Sequence, residues 1–375
     1  MAADVARSCD TGGMADRFPA SVVGSMPRPQ FVRDLLDPER APRDPALLAA
    51  RLDAAVDFVV ALQEQAGLDV VTDGEYRRRS YIGIIADVCD GFLLERRGGS
   101  WWHTVVAPLV AARPGQAAAE ARYLRRRTDR RIKVALPSPY LLGTRMWDPE
   151  RSREAYPTRR AFMEALVPIL RGELALLREA GCDVCQIDDP HLCLFVDPAI
   201  RRQVEDVEAE IALAVDLTNA VTAGITGITR AIHLCRRNKG RAGWIGQGGY
   251  EPILPALRRL EVDQYVLEFT IPVAGELAVL AQLPEDRGIG LGCVDCRGEV
   301  VDSVDAIVAR VERALEYLPA ERIELNPDCG FAPGNAAEIP LDEAYAKLSN
   351  EVEAARRLRE RVSAGSRTPG RPAPA

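Results

Sequence analysis

The 375-residue chain has no run of 18 or more consecutive apolar residues, so no transmembrane helix is expected. Its first stretch, Met1 to Arg17, lacks the basic-then-apolar pattern of a secretory signal. A cytoplasmic location is the expectation that follows. There is no excess of basic charge: 48 Lys and Arg stand against 55 Asp and Glu, for a net charge of -7, which argues against nucleic acid as the main partner. One run departs from this average. Arg122 to Arg131 reads RYLRRRTDRR, a pattern best read as a solvated helix face, with phosphate binding the lesser alternative. Without a secretory signal the nine cysteines should be reduced thiols. No Gly-rich phosphate fingerprint follows the first apolar run, which counts against an open doubly wound sheet. No linker separates two cores either. Residues 18–362 are expected to form a single catalytic domain, with tails at 1–17 and 363–375 too small and polar to bury anything.

What the chain does have is the balance of a globular protein, 47% hydrophobic and 27% charged. Short apolar runs alternate with longer amphipathic ones. The short runs are Ala20–Gly24, Asp69–Thr72, Ile132–Leu136, Asp183–Ile187, Ala231–Leu234, Tyr265–Phe269, Ile289–Val294 and Arg322–Leu325. They lack clean alternation, as strands covered on both faces do. Helical patterns are expected over Leu47–Gln65, Arg159–Ala180, Arg201–Ala223, Ile253–Leu260, Val273–Gln282, Val304–Tyr317 and Leu341–Val362. This α/β succession predicts a (β/α)8 TIM barrel better than an open sheet. Tyr76–Arg131 is too long for one connection and predicts an insertion after strand 2, a hairpin about Arg97 and Gly98 followed by a helix.

Active sites of such barrels lie at the C-terminal ends of the strands. The polar residues there are Ser25, Asp73 and Glu75, Asp188 and Asp189, His233 and Cys235, Glu268, Asp295 and Arg297, and Asp328 and Cys329. His233 and Cys235 are two apart, a spacing that places both on one face of a strand. Glu268 and Cys329 end other strands of the same barrel. Together they offer nitrogen, two sulfurs and oxygen, the donor set zinc prefers. Two further pairs, Cys182–Cys185 and Cys293–Cys296, have the spacing of a zinc knuckle but no turn between them. They read as core thiols, with Cys296 near the site.

At these residues the chain resembles the catalytic domain of cobalamin-independent methionine synthases over most of Phe18 to Ala332. The matching motifs are Val23-Gly24-Ser25, Asp73-Gly74-Glu75, Gln186-Ile187-Asp188, His233-Leu234-Cys235 and Asn326-Pro327-Asp328-Cys329-Gly330. The segment Arg236 to Pro252 is closer to short stand-alone relatives. The resemblance implies Zn2+ held by His233, Cys235, Glu268 and Cys329, and homocysteine held by Ser25, Glu75 and Asp188. It implies a methyltransferase that acts on a small-molecule thiol and produces methionine.

Two departures concern the methyl donor. Arg297 stands where the family carries a proton-donating histidine, and arginine stays protonated near neutral pH. The family's folate-stacking tryptophan has no counterpart in Leu136-Pro137-Ser138-Pro139-Tyr140. Asp295 and Arg297 are therefore expected as catalytic residues on the donor side, where the charge of Arg297 would steady an anionic donor group or Asp295. Methyltetrahydrofolate is disfavoured against an activated donor such as methylcobalamin on a corrinoid protein. Competing readings keep the zinc and change the thiol, or make the barrel a non-catalytic zinc or ligand binder.

Overall fold

The computed structural model describes residues 17–98, 100–332 and 339–365. The tails expected at 1–16 and 366–375 lie outside these residues. Val70–Val71 (β1), Arg131–Pro137 (β4), Val184–Asp188 (β5), Thr229–Leu234 (β6), Gln264–Leu267 (β7), Gly288–Val294 (β8) and Ile323–Pro327 (β9) form one parallel sheet of seven strands in chain order. Asp90–Arg97 (β2) and Ser100–Val110 (β3) form a separate antiparallel hairpin.

The sheet closes through the first of the expected strands. Ala20 bridges to Leu325 in β9 and Ser21 to Val70 in β1, both in parallel sense. Ser21 N–H donates to Leu325 O at 3.0 Å, and Asp69 N–H to Ala20 O at 2.9 Å. A buried lysine stitches this seam. Lys133 Nζ donates to Ser21 Oγ at 2.7 Å and Val22 O at 2.9 Å, and pairs with Glu324 at 3.2 Å. The result is the eight-fold barrel read from the apolar runs.

Side chains alternate along each strand with period two. In β5, Cys185 and Ile187 pack outward in the main apolar core beneath the helices, and Val184 belongs to a small inner cluster with Val23, Ala231 and Val266. Gln186 and Asp188 share the inner face with Val184, so the alternation ends on a carboxylate at the barrel mouth. The register then pairs Asp188 with His233 on β6. Backbone periodicity thus sets these two functional groups side by side.

The long insertion holds a short helix, Ile84–Val88, the hairpin β2–β3 and a second helix, Gln116–Arg125. Arg78 anchors it. Its Nε donates to Glu120 Oε1 at 3.0 Å and its Nη1 to Ala135 O, in β4, at 2.7 Å. Both members of the pair are buried, so removing one leaves an uncompensated charge. Glu120→Ala is expected to lower unfolding free energy by about 3 kcal/mol, read as a fall in the urea midpoint. An unchanged midpoint would show that the insertion does not depend on this pair. The arginine run that ends the helix is partnered: Arg125 pairs with Asp183, Arg127 with Asp57, and Arg126 and Arg127 lie over the Tyr123 ring.

Several helices differ from expectation. The pattern over Val273–Gln282 forms only a 3-10 run, Leu277–Gln282. Gly275 has φ +84°, and its ideal Cβ would stand 2.5 Å from Gly249 Cα, so the chain turns there instead of winding. The Arg201–Ala223 pattern divides into Pro198–Arg201 and Val207–Thr222, the second capped by Asp206 accepting from Ala209 N–H at 3.0 Å. A short helix that the periodicity missed, Pro139–Met146, is capped by Ser138. The last helix, Leu341–Gly365, runs past Val362 into the stretch expected as a tail. No helix among the described residues is long and apolar enough to cross a membrane.

Candidate active site

His233 sits near the end of β6, Cys235 just beyond it, and Cys329 just beyond β9. One ligand atom from each lies within 4.8 Å of the others, and all three residues are buried. Cys329 Sγ donates to Cys235 Sγ at 3.6 Å. Two sulfurs on one tetrahedral zinc, each bonded at about 2.3 Å, stand about 3.8 Å apart. The sulfur spacing therefore fits a shared metal ion. His233 Nδ1 lies 3.2 Å from Asp188 Oδ1, and Nε2 lies 3.3 Å from Asp328 O. Burial works against charge on the imidazole, but the Cys235 thiolate and the Asp188 carboxylate outweigh it and raise His233 to about 10. The Cys235 thiol is held well below its usual range by the hydrogen bond from Cys329 and, against burial, by the charge of His233. Without a metal this is a proton-sharing cluster; a cation that displaces those protons takes over the same lone pairs.

Glu268, read from the sequence as the fourth donor, is not part of that group. Its carboxylate pairs with Arg297 Nη2 and accepts Arg236 N–H at 3.2 Å. The Arg297 guanidinium also reaches Asp328 at 3.1 Å and Asp295 at 3.4 Å, and its side chain is only 4% exposed. Neither Arg297 nor Asp295 lines the cavity above the cysteines. Of the two expected partners for the charge of Arg297, Asp295 is the one it meets in the structure. Three carboxylates engage the guanidinium, and Asp295 also accepts Arg297 N–H and Gly298 N–H, each at 2.9 Å.

The remaining sequence candidates converge. Ser25, Glu75 and Asp188 line one small cavity, about 110 Å³, together with His233, Cys235 and Cys329. Ser25 Oγ accepts Ala332 N–H at 3.2 Å, and a Cβ on Gly330 would come within 2.3 Å of it, so only glycine fits after Cys329. Gly74 and Glu75 both have positive φ, +65° and +57°. For glutamate this conformation is strained, and it turns the carboxylate into the cavity. Glu75 Oε2 is buried with no hydrogen-bond partner, and Arg28 stands 3.7 Å away. Burial raises Glu75 to about 7 even though Arg78 and Arg28 pull it down. Asp188 Oδ1 also accepts from Gln186 Nε2 at 2.8 Å.

Sequence reasoning missed the other polar lining: Tyr81, Arg145, Arg237 and Asn238. Asn238 donates to Gly330 O at 3.1 Å and to Cys296 Sγ at 3.4 Å, which places Cys296 beside the site as expected. Cys182, Cys185 and Cys293 are buried thiols raised by burial, core residues and not ligands.

A closed barrel with a His–Cys–Cys cluster that could hold a metal ion, and with carboxylates at the same strand ends, has the parts of a barrel enzyme's active site. The comparisons agree with that class. Residues 18–357 match the model of the cobalamin-independent synthase catalytic domain, and the chain belongs to that family. It is a methyltransferase of this type. The methionine synthase of Sulfolobus acidocaldarius is 27% identical over 352 residues, covering 92% of this chain and 93% of that protein. That of Pyrococcus abyssi is 28% identical over 356 residues, covering 92% and 94%. The structure of a B12-independent methionine synthase from Shewanella sp. W3-18-1, in complex with selenomethionine, shares the fold with a TM-score of 0.74 at 21% identity, covering 93% of this chain and 99% of that one.

Proposed function

We propose that this chain methylates the thiol of homocysteine to give methionine, with zinc held by His233, Cys235 and Cys329. The observation that carries the reading is the pair of carboxylates, Glu75 and Asp188, in the same small cavity as the sulfur cluster. An amino thiol matches both ends. Zinc, when bound, lowers the pKa of the thiol so that a thiolate nucleophile exists near neutral pH. The ammonium group meets Glu75, whose Oε2 has no hydrogen-bond partner, and Asp188. The carboxylate meets the Ser25 hydroxyl. Glu268 lies beside the cluster as the fourth donor of the sequence reading, with Arg297 as the competitor for its carboxylate. The methyl donor reaches the sulfur from the cavity mouth. Membership in a cobalamin-independent family gives a corrinoid protein no support as partner, and Arg297, which does not line the cavity, is engaged by Glu268, Asp328 and Asp295. The test is methionine formation by zinc-loaded protein from homocysteine and a panel of methyl donors. Absence of methionine with every donor, in protein that carries zinc, would overturn the acceptor.

A pH dependence follows from Glu75. A carboxyl raised to about 7 is neutral below that pH and cannot attract an ammonium group. Product binding should tighten as pH rises through 7 and level off above it. Methionine is the ligand to use, because its thioether releases no proton on binding. Glu75→Gln should flatten the profile and weaken binding about 10- to 150-fold, the range for a charge-assisted hydrogen bond of about 1.5–3 kcal/mol. Calorimetry from pH 6 to 8 reads both, and a variant with the wild-type profile would remove Glu75 from the ligand.

A further inference from the structure

The cavity above the cysteines is divided in charge. Its buried floor carries Glu75 and Asp188, while Arg145 and Arg237 line it as half-buried groups. Neither arginine has an ion-pair partner among the described residues. Arg159, nearby, is by contrast paired with Glu210 at 2.5 Å.

Arg145 is held in place. Arg145 is in the last turn of the short helix Pro139–Met146, and its guanidinium carbon lies 4.3 Å from the centre of the Trp102 ring on the hairpin. Its Nε is buried without a hydrogen-bond partner. Arg237 follows Cys235 by two residues and has φ +57°, a conformation that is rare outside glycine. His191 Nε2 is a further buried ring nitrogen without a hydrogen-bond partner. Burial and the charges of Arg237 and Arg145 hold that imidazole neutral, down to about 3. Burial and the charge of Arg237 also press the Arg145 pKa downward, yet a guanidinium stays protonated. Two like charges therefore share one half-buried mouth, and among the described residues neither is ion-paired. Guanidinium groups bind carboxylate and phosphate oxygens in pairs of parallel hydrogen bonds, so an oxyanion relieves both the repulsion and the unmet donor.

We propose that Arg145 and Arg237 form an oxyanion subsite at the mouth of the thiol cavity, which binds a carboxylate or phosphate substituent of the methyl donor. The proposal rests on reading the cavity floor as the acceptor's site. An α-amino acid carries its ammonium and carboxylate on one carbon. With the ammonium at Glu75 and Asp188, its carboxylate lies at Ser25 on the floor. With the amino acid on the buried side of the cavity, the donor stays on the half-buried side, where the arginines are.

The test uses the zinc-loaded full chain and two probes, inorganic phosphate and glutarate, titrated by calorimetry. The wild type should bind at least one of them, and the tighter probe names the substituent. Arg145→Met and Arg237→Met should each weaken that probe tenfold or more, and Arg145→Lys, which keeps the charge, should recover part of the loss. Methionine binding at the floor should stay unchanged in all three variants, which also shows that they fold. The proposal is overturned if neither probe binds the wild type, or if the double variant binds as the wild type does. It is also overturned if methionine binding falls in step with the probes, since the acceptor's own carboxylate would then occupy the arginines. A wild type that binds phosphate or glutarate but not methionine would instead overturn the acceptor reading.

Discussion

Replacing Cys329 by serine is expected to strip zinc from the protein and abolish methyl transfer. The apparent binding free energy of a four-ligand zinc site is about 10–16 kcal/mol at neutral pH, so one thiolate contributes about 3–4 kcal/mol. Its loss lowers affinity about 10²- to 10³-fold. A serine hydroxyl does not replace it, because it does not ionise at neutral pH as a cluster thiol does. Cys235→Ser should behave alike, since the two sulfurs stand 3.6 Å apart in one hydrogen-bonded cluster. Cys296→Ser is the control. That thiol is buried and touches Asn238, but it is outside the group that can share an ion, and the variant should keep its zinc. Glu268→Gln then separates two roles. A ligand would lose zinc as Cys329→Ser does; a carboxylate committed to Arg297 and Arg236 would lose less, and the geometry favours the smaller loss. Metal content after dialysis against a weak chelator reads all four variants. Full zinc in both cluster variants would sink the metal assignment.

The cluster was legible in the sequence because its members follow strand ends. An apolar run that stops at a polar residue marks the barrel mouth, and His233, Cys235 and Cys329 each sit at or just past such a stop. Ser25, Glu75 and Asp188 are legible for the same reason. Arg297 has the same position, yet its role was not legible. Whether a long side chain at a strand end points into the cavity or back across the neighbouring strands is a rotamer choice, decided here by Glu268 and Asp328. Arg145 was hidden differently. It lies on a helix of eight residues, too short to show a period. Arg237 depends on a positive φ that no residue type announces. Gly275 shows the converse, an apolar pattern that fits a helix until a close backbone approach to Gly249 stops it.

Asp188→Asn should weaken two binding events at once, and their separation tests the centre of the site. The family resemblance implies that Asp188 holds the ammonium group. The register of β5 against β6 adds a second task, because the carboxylate also takes His233 Nδ1 at 3.2 Å. A carboxylate behind a ligating imidazole fixes its tautomer and raises its basicity, and losing such a partner typically costs 10- to 100-fold in metal affinity. The asparagine can still accept a hydrogen bond from Nδ1 and from Gln186, but it brings no charge. Acceptor binding should fall separately by about 10- to 150-fold, for the loss of about 1.5–3 kcal/mol of charge-assisted hydrogen bonding. At limiting zinc both losses act and multiply. At saturating zinc only the second remains, so kcat/KM for homocysteine should recover in part as zinc is raised. Gln186→Leu, which removes the donor at 2.8 Å from Asp188 and leaves the charge, should produce a much smaller change in either quantity. Recovery to the wild-type kcat/KM at high zinc would confine Asp188 to His233 and leave the ammonium to Glu75 alone, whereas a variant unchanged in zinc affinity would deny the imidazole contact any part in metal binding.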